Sequence, residues 1–451
     1  MPHETPARQP GPRRPALLLP LSILASLGAL ACGEQGDEGA RPAGETSVVM
    51  SAICGRGDAD LVLPDGFCAT VFADSLGPIR HAVVREDGAL FVVRQSVAEG
   101  EDGVLVLRDT TGDGVSDVRE SFAPEAGGTG IALLGSNLYV DGGGTILRYT
   151  VPAGAPLPRG PGVPVAVDLP RGGHDALTFV PDDRGGLLVN IGSLTNACQV
   201  ADREPGSPGA EPCRELETRA GIWRFDSEAT GQRQADGTPW ATGIRNALAL
   251  AIDGRGRLWA VQHGRDQLST LWPGIYTDEQ NAENPVEELL LVARGDDFGW
   301  PYCYYSREFG RKVLAPEYGG VGDGTVGRCS DVKSASAVFP AHWAPMDLLF
   351  YSGEAFPMRF RNGAFISFHG SWNRAPLDQQ GFNVVFLPMS NGEPVAAYEI
   401  FAEGFTGAES LSDPSGAAHR PVGLAEGPTG ELYVTDDRRG RIWRIEYRGE
   451  P

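Results

Sequence analysis

The sequence predicts an all-β fold, a six-bladed β-propeller, on the basis of its composition and a repeated strand pattern. Of its 451 residues, 61 are glycine and 35 are proline, which is typical of many short strands joined by turns. A turn with Gly or Asp, followed by a short apolar strand with an aromatic residue or leucine, occurs six times, at residues 86–93, 135–140, 185–189, 256–261, 363–368 and 430–435. No long amphipathic helix is evident. Six β-meanders around an axis form a propeller, and six equivalent strands suit this radial repetition better than a β-sandwich.

The repeats lie from about 50 to about 110 residues apart, farther than a compact blade requires. The additional residues belong to loops rich in Gly, Pro and Cys. On one face of a propeller the strand ends and loops converge on the central channel. We therefore expect a functional site there, with residues from several blades.

Residues 1–31 are predicted to form a signal peptide. Arg13 and Arg14 precede an apolar segment that is too short for a membrane span and ends in small residues before Cys32. This end also resembles a bacterial lipobox, which would make Cys32 a lipidated membrane anchor. The alternative is ordinary cleavage near Ala31.

Residues 32–58 are predicted to be a flexible tether, and residues 59–449 the propeller domain. We expect an exported protein, in the periplasm or the cell envelope. The chain has 38 Lys and Arg against 59 Asp and Glu, a formal net charge of −21. This charge disfavours nucleic acids and anionic membrane surfaces as partners. An anionic ligand would need a local concentration of arginine.

The cysteine content supports export. The chain has seven cysteines, namely Cys32, Cys54, Cys68, Cys198, Cys213, Cys303 and Cys329. With Cys32 set aside, six remain, and six cysteines allow 15 connectivities. Pairing between sequence neighbours is preferred, which predicts Cys54–Cys68, Cys198–Cys213 and Cys303–Cys329 as staples on long loops in an oxidising compartment. No CxxC or CxxCH motif occurs, so neither a zinc knuckle nor a c-type haem is predicted.

The most informative segment begins at the pair Arg245-Asn246, which precedes an apolar strand. A second strand, residues 258–262, leads directly into His263-Gly264-Arg265-Asp266, and Gly299-Trp300-Pro301 closes the segment. These motifs resemble the glucose/sorbosone dehydrogenase family, six-bladed propellers that use pyrroloquinoline quinone (PQQ), and most of all its L-sorbosone dehydrogenase-like branch. The resemblance covers roughly residues 61–447 and implies the same fold.

The resemblance implies a catalytic role for His174, which follows two glycines and precedes an apolar strand. Removal of hydride from a sugar C1 requires that the attached hydroxyl lose its proton, and a neutral imidazole suits that step near pH 7. For an isolated histidine, a position in a surface loop is the alternative.

The same resemblance implies that Arg245 and Asn246 bind the cofactor, since a guanidinium can donate to adjacent oxygens of an electron-accepting quinone. Arg374, Arg420 and His369 are candidates for binding its carboxylates. Thr129 stands where the soluble glucose enzymes have a glutamine, so its role in cofactor binding stays open. For Arg245, an ion pair between blades is the alternative.

Calcium is expected through the backbone carbonyls of Gly264 and Arg265, because a hard cation prefers oxygen ligands. Arg265 stands where the family has a proline. A second candidate calcium loop, residues 109–117, has the alternative of a plain Asp-capped turn. Trp343 resembles the aromatic residue that stacks on the sugar, with a core position between blades as the alternative.

Together these features predict a PQQ- and calcium-dependent enzyme that oxidises an aldose or sugar aldehyde at C1. The electrons would pass to an external acceptor such as a cytochrome or a quinone, because the chain encodes no haem. Two other functions remain open: a calcium-dependent propeller lactonase and a non-catalytic binding propeller at the cell surface. A lactonase would gather Glu, Asp and Asn around its metal, and the sequence shows no such cluster near the predicted site.

Overall fold

A computed structural model describes Cys54 and residues 60–96 and 98–449. The predicted signal peptide, Cys32 and most of the predicted tether lie outside these residues. Within them the chain forms six four-stranded antiparallel sheets and two short hairpins. The prediction of a six-bladed β-propeller is confirmed.

The strands follow the chain blade by blade. The first strand is β1 (Phe67–Ala73), and blade 1 follows with β2 (Ile79–Val84), β3 (Leu90–Arg94), β4 (Val104–Arg108) and β5 (Val118–Phe122). Blade 2 contains β6 (Ile131–Leu134), β7 (Asn137–Asp141), β8 (Ile146–Thr150) and β9 (Val163–Ala166). Blade 3 contains β10 (Thr178–Pro181), β11 (Gly186–Ile191), β12 (Gly221–Asp226) and β13 (Thr238–Thr242).

The later blades carry the additional elements. Blade 4 and its insert comprise β14 (Ala249–Ile252), β15 (Leu258–Gln262), α1 (Leu268–Leu271), α2 (Asp278–Glu283), β16 (Glu287–Val292), the hairpin β17 (Cys303–Ser306) and β18 (Arg311–Leu314), and β19 (Ala337–Phe339). Blade 5 comprises β20 (Pro345–Phe350), β21 (Ala364–Phe368), β22 (Asn383–Leu387), the hairpin β23 (Met389–Ser390) and β24 (Glu393–Pro394), and β25 (Glu399–Ala402). Blade 6 comprises β26 (Pro421–Glu426), β27 (Leu432–Asp436) and β28 (Ile442–Tyr447). Short 3-10 turns lie at Arg214–Glu217, Gln234–Asp236, Pro316–Tyr318, Gly327–Ser330, Met358–Phe360 and Pro414–Gly416.

The two ends of the propeller close the ring. Strand β1 pairs antiparallel with β28 and supplies the outermost strand of blade 6. The first strands of neighbouring blades contact one another in the order β2, β6, β10, β14, β20 and β26, and β26 contacts β2 again. These six first strands therefore surround the propeller axis.

The repeated sequence pattern corresponds to one structural position. Its six copies coincide with β3, β7, β11, β15, β21 and β27, the second strand of each blade. These strands are buried on both faces, because each is covered by the neighbouring blades, and their side chains form the cores between blades. Large aromatic side chains such as Trp259 and Trp443 are fully buried there.

The three predicted disulfides are present. Cys54–Cys68 lies beside the β1–β28 closure, Cys198–Cys213 closes an insert between β11 and β12, and Cys303–Cys329 closes part of the blade 4 insert. In the part of the chain that the structure describes, no helix is long and apolar enough to cross a membrane.

Candidate active site

A cavity of about 320 Å³ lies where the first strands of the blades begin and the second strands end. It is lined by Arg80, His174, Arg245, Asn246, His263, Gly264, Asp266, Glu287, His342, Ala344, Met346, His369, Gly370, Trp372 and Arg420. Blades 1, 3, 4, 5 and 6 all contribute. Three lining residues are arginines, although the chain as a whole carries a formal net charge of −21. The cavity therefore has the local arginine that an anionic ligand requires.

His174 is fixed in one tautomer. Its Nδ1 lies 3.0 Å from the carbonyl oxygen of Ser193 and 3.0 Å from Ser193 Oγ, and this hydroxyl donates to the carbonyl of Thr195. Because a carbonyl only accepts, Nδ1 must carry the hydrogen, and Nε2 is left unprotonated. Burial, reinforced by the nearby charge of Arg245, lowers the pKa of His174 to about 3. The imidazole is therefore neutral and able to accept a proton near pH 7.

Arg245 is buried and held on almost every side. Its Nε and Nη2 donate to the main-chain and side-chain oxygens of Asn196 at 3.1 and 3.0 Å. Nη2 also donates to Asp266 Oδ2 at 2.9 Å, and Nη1 donates to the carbonyl of Gly264 at 2.9 Å. Four of the five guanidinium hydrogens are thereby used, and the fifth, on Nη1, is left for a ligand in the cavity.

Asp266 balances the charge of Arg245. Burial alone would raise the pKa of its carboxyl, but Arg245, His342 and Arg203 together outweigh burial and hold the pKa below its usual range. The carboxylate also accepts from Arg203 Nη2 at 3.3 Å. Asn246 lines the cavity beside this pair, and its Oδ1 accepts from Asn190 at 3.1 Å.

The opposite side of the cavity has a second network. Asp437 accepts from Arg80 Nη1 at 2.6 Å and from His369 Nε2 at 2.8 Å. Burial alone would raise the pKa of Asp437, but His369 and Arg80 outweigh it and lower the pKa to about 2. Arg420 donates to the carbonyls of His369 and Gly370 at 2.9 and 2.7 Å. The predicted residues His369 and Arg420 therefore meet at the cavity.

Four predicted site residues do not line the cavity. Thr129 lies behind it and accepts from Arg80 Nε at 3.3 Å. Arg265 is buried in an ion pair with Glu317. Arg374, with 2% of its surface exposed, donates to the carbonyl of Ala282 at 2.7 Å and to Glu283 at 2.6 Å.

The fourth of these residues is Trp343, which is 7% exposed and packs edge-on against Phe368 and Tyr398 in the core of blades 4 and 5. The aromatic residue that the structure brings to the cavity is instead Trp372, with 53% of its surface exposed. The two indoles are not distinguished by local sequence, because both follow a histidine in a loop beside a strand.

The sequence reasoning also missed Arg80, Asp437 and Glu287. Glu287 begins β16 and accepts from the backbone N–H groups of Gly264 and Ala344 at 2.7 and 3.1 Å. Burial raises the pKa of Glu287 to about 8. The sequence feature that could have identified these three residues is a charged residue at the very start or end of an apolar strand, because such positions lie at the cavity end of a blade.

The oxygen atoms available to a cation are few. The carbonyl of Gly264 belongs to a cavity residue, but it already accepts from Arg245 and has one lone pair left. Asp266 and Glu287 also line the cavity. Among the described residues, one set of three His, Cys, Asp or Glu side chains has closely spaced ligand atoms, namely Cys198, Cys213 and Glu215, and its cysteines form a disulfide. A calcium ion would therefore depend on carbonyls, on Asp266 or Glu287, and on the cofactor itself.

The loop at residues 109–117 has the contacts of an Asp-capped turn. Asp109 Oδ1 accepts from the backbone of Thr111 and Gly112, and Oδ2 accepts from Gly114 at 2.8 Å. Asp117 accepts from the backbone of Thr110 at 3.0 Å. These backbone contacts match the alternative of a plain turn.

Comparisons with known proteins show where the chain belongs. A PQQ-dependent pyranose dehydrogenase of Coprinopsis cinerea is 26% identical over 325 residues, which are 62% of this chain and 43% of that protein. An uncharacterized protein of Borreliella burgdorferi is 27% identical over 213 residues, 46% of this chain and 48% of that one. The chain therefore spans about half the length of the curated relatives that it matches.

Two solved structures share the fold. The calcium structure of the Trichoderma reesei Carbohydrate-Active Enzymes Family AA12 protein has a TM-score of 0.69 at 19% identity and covers 86% of this chain and 97% of its own. The holo form of the Coprinopsis cinerea pyranose dehydrogenase PQQ domain has a TM-score of 0.68 at 19% identity, with coverages of 86% and 97%. A family model described as TrAA12-like matches residues 61–448, nearly the whole propeller. The chain belongs to the TrAA12-like family.

Proposed function

We propose that this protein oxidises an aldose or a related sugar aldehyde at C1, with PQQ bound in the cavity and the electrons passing to an external acceptor. One observation carries the proposal: a chain with a net charge of −21 places three arginines around a half-buried histidine whose Nε2 is unprotonated. The similarity to a PQQ-dependent pyranose dehydrogenase of Coprinopsis cinerea supports it.

The cavity residues fit a small polyanion. Arg80, Arg245 and Arg420 lie on two sides of the cavity, and each is already oriented by carboxylate or carbonyl acceptors. Oriented donors need no rearrangement when a charged ligand binds, so their contribution to affinity is not reduced by reorganisation. PQQ, when bound, supplies the quinone that accepts a hydride equivalent from the sugar.

His174 performs the proton transfer in this proposal. Its Nε2 accepts the proton of the C1 hydroxyl, while the hydrogen bond from Nδ1 to Ser193 keeps the ring in the orientation that presents Nε2. Arg245 supplies the Nη1 hydrogen that no protein atom uses, and this donor favours negative charge developing on an oxygen beside it. Asp266 keeps the guanidinium in place without entering the reaction.

We also propose that calcium binds beside Gly264, with Asp266 or Glu287 as oxygen donors. The free lone pair of the Gly264 carbonyl supports this site, whereas the neighbouring guanidinium of Arg245 opposes it. The side chain of Arg265 is committed to Glu317, so only its carbonyl could take part. Dialysis against a chelator should therefore weaken PQQ binding, and calcium should restore it.

The lactonase alternative has weaker support from the same cavity. Asp266, Glu287 and Asn246 do line the same cavity, but three arginines line it as well, which favours an anionic ligand over a metal held by carboxylates alone. We further propose that the protein is exported, because the three disulfides require an oxidising compartment. Lipidation of Cys32 would anchor it to a membrane, and mass spectrometry of the mature N-terminus tests this point.

The function is tested by titrating PQQ into cofactor-free protein in calcium-containing buffer and then assaying sugars with an artificial electron acceptor. His174→Ala should bind PQQ nearly as tightly as the wild type and lose activity by about 100-fold or more, the usual scale for a lost general base. Arg359→Ala removes an arginine from a surface ion pair with Glu399 and should change neither property. If the wild-type protein does not bind PQQ, the proposed dehydrogenase function is wrong, and a lactonase or a non-catalytic binding propeller becomes the better account.

A further inference from the structure

Asn196 is a buried residue, 1% exposed, with every polar atom in a hydrogen bond. Its backbone N–H donates to Asp202 at 3.0 Å, and its Nδ2 donates to the carbonyl of Asp266 at 2.9 Å. Its Oδ1 accepts from Arg245 Nη2 and from the backbone N–H of Asp266 at 3.0 and 2.9 Å. Its carbonyl accepts from Arg245 Nε and from Trp300 Nε1 at 3.1 and 3.0 Å. We call Asn196, Arg245, Asp266 and Trp300 the Asn196 junction.

The contacts within the Asn196 junction determine the direction of the guanidinium. The Nε and Nη2 atoms form one edge of the planar group, and both donate to Asn196. Such a two-point contact fixes the plane as well as the position of the group. Nη1 is then the atom directed to Gly264 and the cavity. Neither Asn196 nor Trp300 lines the cavity, so both can influence a ligand only through Arg245 and Asp266.

Trp300 gives the Gly-Trp-Pro motif a structural role. Its indole N–H donates to Asn196, and its backbone N–H donates to the carbonyl of Gly243 at 3.0 Å, two residues before Arg245. The indole packs against the disulfide formed by Cys198 and Cys213. The tryptophan therefore restrains both the residue that holds the guanidinium and the backbone that carries it.

The insert that supplies Asn196 is itself held by the Cys198–Cys213 disulfide. Cys198 lies two residues after Asn196, and its backbone N–H donates to Thr195 Oγ1 at 2.9 Å. Within the same loop Arg203 reaches back to Asp266 and Gln267. A long loop of this kind would sample many conformations without a cross-link, because closing a loop costs conformational entropy.

We propose that Asn196 and Trp300 are positioning residues for Arg245, and that the Cys198–Cys213 disulfide keeps them in place so that the cavity can bind its cofactor. This inference rests on the proposed function, in that the ligand used to test it is PQQ. It goes further by assigning a role in cofactor affinity to the disulfide-closed insert and to the Gly-Trp-Pro motif.

The first experiment is a double-mutant cycle on the dissociation constant of PQQ, measured by titration of cofactor-free protein. Asn196→Ala should weaken binding by about 10-fold or more, because Arg245 Nη2 and the buried backbone N–H of Asp266 both lose the Oδ1 that accepts from them. In an Arg245→Ala background the same substitution should change the dissociation constant by less than about twofold. Equal effects in both backgrounds would show that Asn196 acts independently of Arg245 and would overturn the inference.

The second experiment uses Trp300→Phe, which keeps an aromatic ring and removes the N–H. It should weaken PQQ binding several-fold when Arg245 is present and have no effect when Arg245 is alanine. Trp343→Phe is the matched control, because its buried Nε1 has no hydrogen-bond partner among the described residues. If Trp300→Phe binds PQQ as tightly as Trp343→Phe does, the proposed role of the indole N–H is wrong, and this arm decides the matter even if Asn196→Ala does not fold.

The third experiment compares disulfides. The double substitution Cys198→Ser with Cys213→Ser should weaken PQQ binding by about 10-fold or more. Cys54→Ser with Cys68→Ser, at the ring closure, should lower the melting temperature and leave the dissociation constant unchanged, since this bridge is far from the cavity in the fold. Equal affinities of the two variants would overturn the role of the insert. If the wild-type protein does not bind PQQ, the proposed function itself is wrong. This outcome can be told apart from failure of the inference, in which the wild type binds PQQ and the two cysteine variants have equal affinities.

Discussion

On one side of the cavity Arg245 is held by an insert closed by a disulfide, whereas on the other side Arg80 and Arg420 are held by the ends of strands. The insert supplies the two oxygens of Asn196 to Arg245. Arg420 instead donates to backbone carbonyls that directly follow β21. Arg80 lies within β2 and reaches Asp437, the residue directly after β27.

The difference shows two ways of orienting a cation at the end of a propeller. Strand ends are fixed by their own sheets, so backbone carbonyls and one carboxylate suffice for Arg80 and Arg420. Arg245 is surrounded by acceptors on three sides, which no strand end provides, and additional chain is needed to bring them there. We expect Arg245 to contribute more to cofactor binding and to be more sensitive to remote changes.

The largest expected effect is the loss of Arg245. Arg245→Ala should weaken PQQ binding by about 100-fold or more, because a buried donor is lost and Asp266 keeps only the longer, 3.3 Å pairing with Arg203 to balance its charge in the cavity. Arg420→Ala should weaken it by about 10-fold, since only carbonyls lose a donor. Isothermal titration of the cofactor-free variants compares the two. A larger effect from Arg420→Ala would show that the strand-end side of the cavity contributes more to cofactor affinity than the side of Arg245.

The second expected effect concerns Asp437, which serves Arg80 and His369 together. Asp437→Asn should lower the free energy of unfolding by about 2–3 kcal/mol at pH 7, because a buried ion pair loses one partner. The pKa of Asp437 in the folded protein, about 2, lies below its ordinary value of 3.8. The stability from its charged form is therefore fully present above pH 3.8 and is lost as the pH falls through about 2.

Urea denaturation at several pH values measures this contribution. The difference in unfolding free energy between wild type and Asp437→Asn should stay constant from pH 5 to pH 7 and become smaller below pH 3. Asp74→Asn is a suitable control, because Asp74 pairs with Arg441 at a more exposed position away from the cavity. A difference that grows on acidification would contradict the ion-pair account.

The same two sides explain how far the site can be predicted from sequence. The motif around Arg245 and His263 is continuous in the chain, and the strand predicted beside it, Leu258–Gln262, has the observed bounds. The repeated second strands predict the six blades because burial on both faces imposes an apolar pattern. His174 is recognisable because it stands between glycines and a strand.

The strand-end network has no comparable sequence signal. Arg80 and Asp437 are 357 positions apart and meet only because β26 closes the ring on β2. Arg374 shows the converse difference. Its place after the His-Gly-Ser-Trp-Asn segment predicts a ligand contact, whereas its guanidinium donates to Ala282 and Glu283 of α2. Side-chain direction within a loop depends on tertiary contacts that the local sequence does not encode.

The third expected effect is a change in the titration of His174. In the cofactor-free protein its pKa is about 3, below the ordinary 6.5, so the stability from its neutral ring is fully present above pH 6.5 and is lost as the pH falls toward 3. Bound carboxylates would favour the charged ring and should raise the pKa by at least about one unit. NMR titration of the ring with and without PQQ measures the shift. An unchanged midpoint would place the bound anion away from His174.

The smallest expected effect is that of Thr129, which supports Arg80 from behind. Thr129→Val keeps the shape of the side chain and removes the hydroxyl that accepts from Arg80 Nε at 3.3 Å. Arg80 keeps its shorter bond to Asp437, at 2.6 Å, so one long hydrogen bond is lost and the guanidinium stays oriented. PQQ binding should weaken by about threefold or less, and Thr150→Val, at an exposed pair with Asn137, should have no effect. A loss of 10-fold or more in the Thr129 variant would mean that Thr129 contacts the cofactor itself, and the strand-end side would then bind its ligand more directly than the contacts of Arg80 indicate.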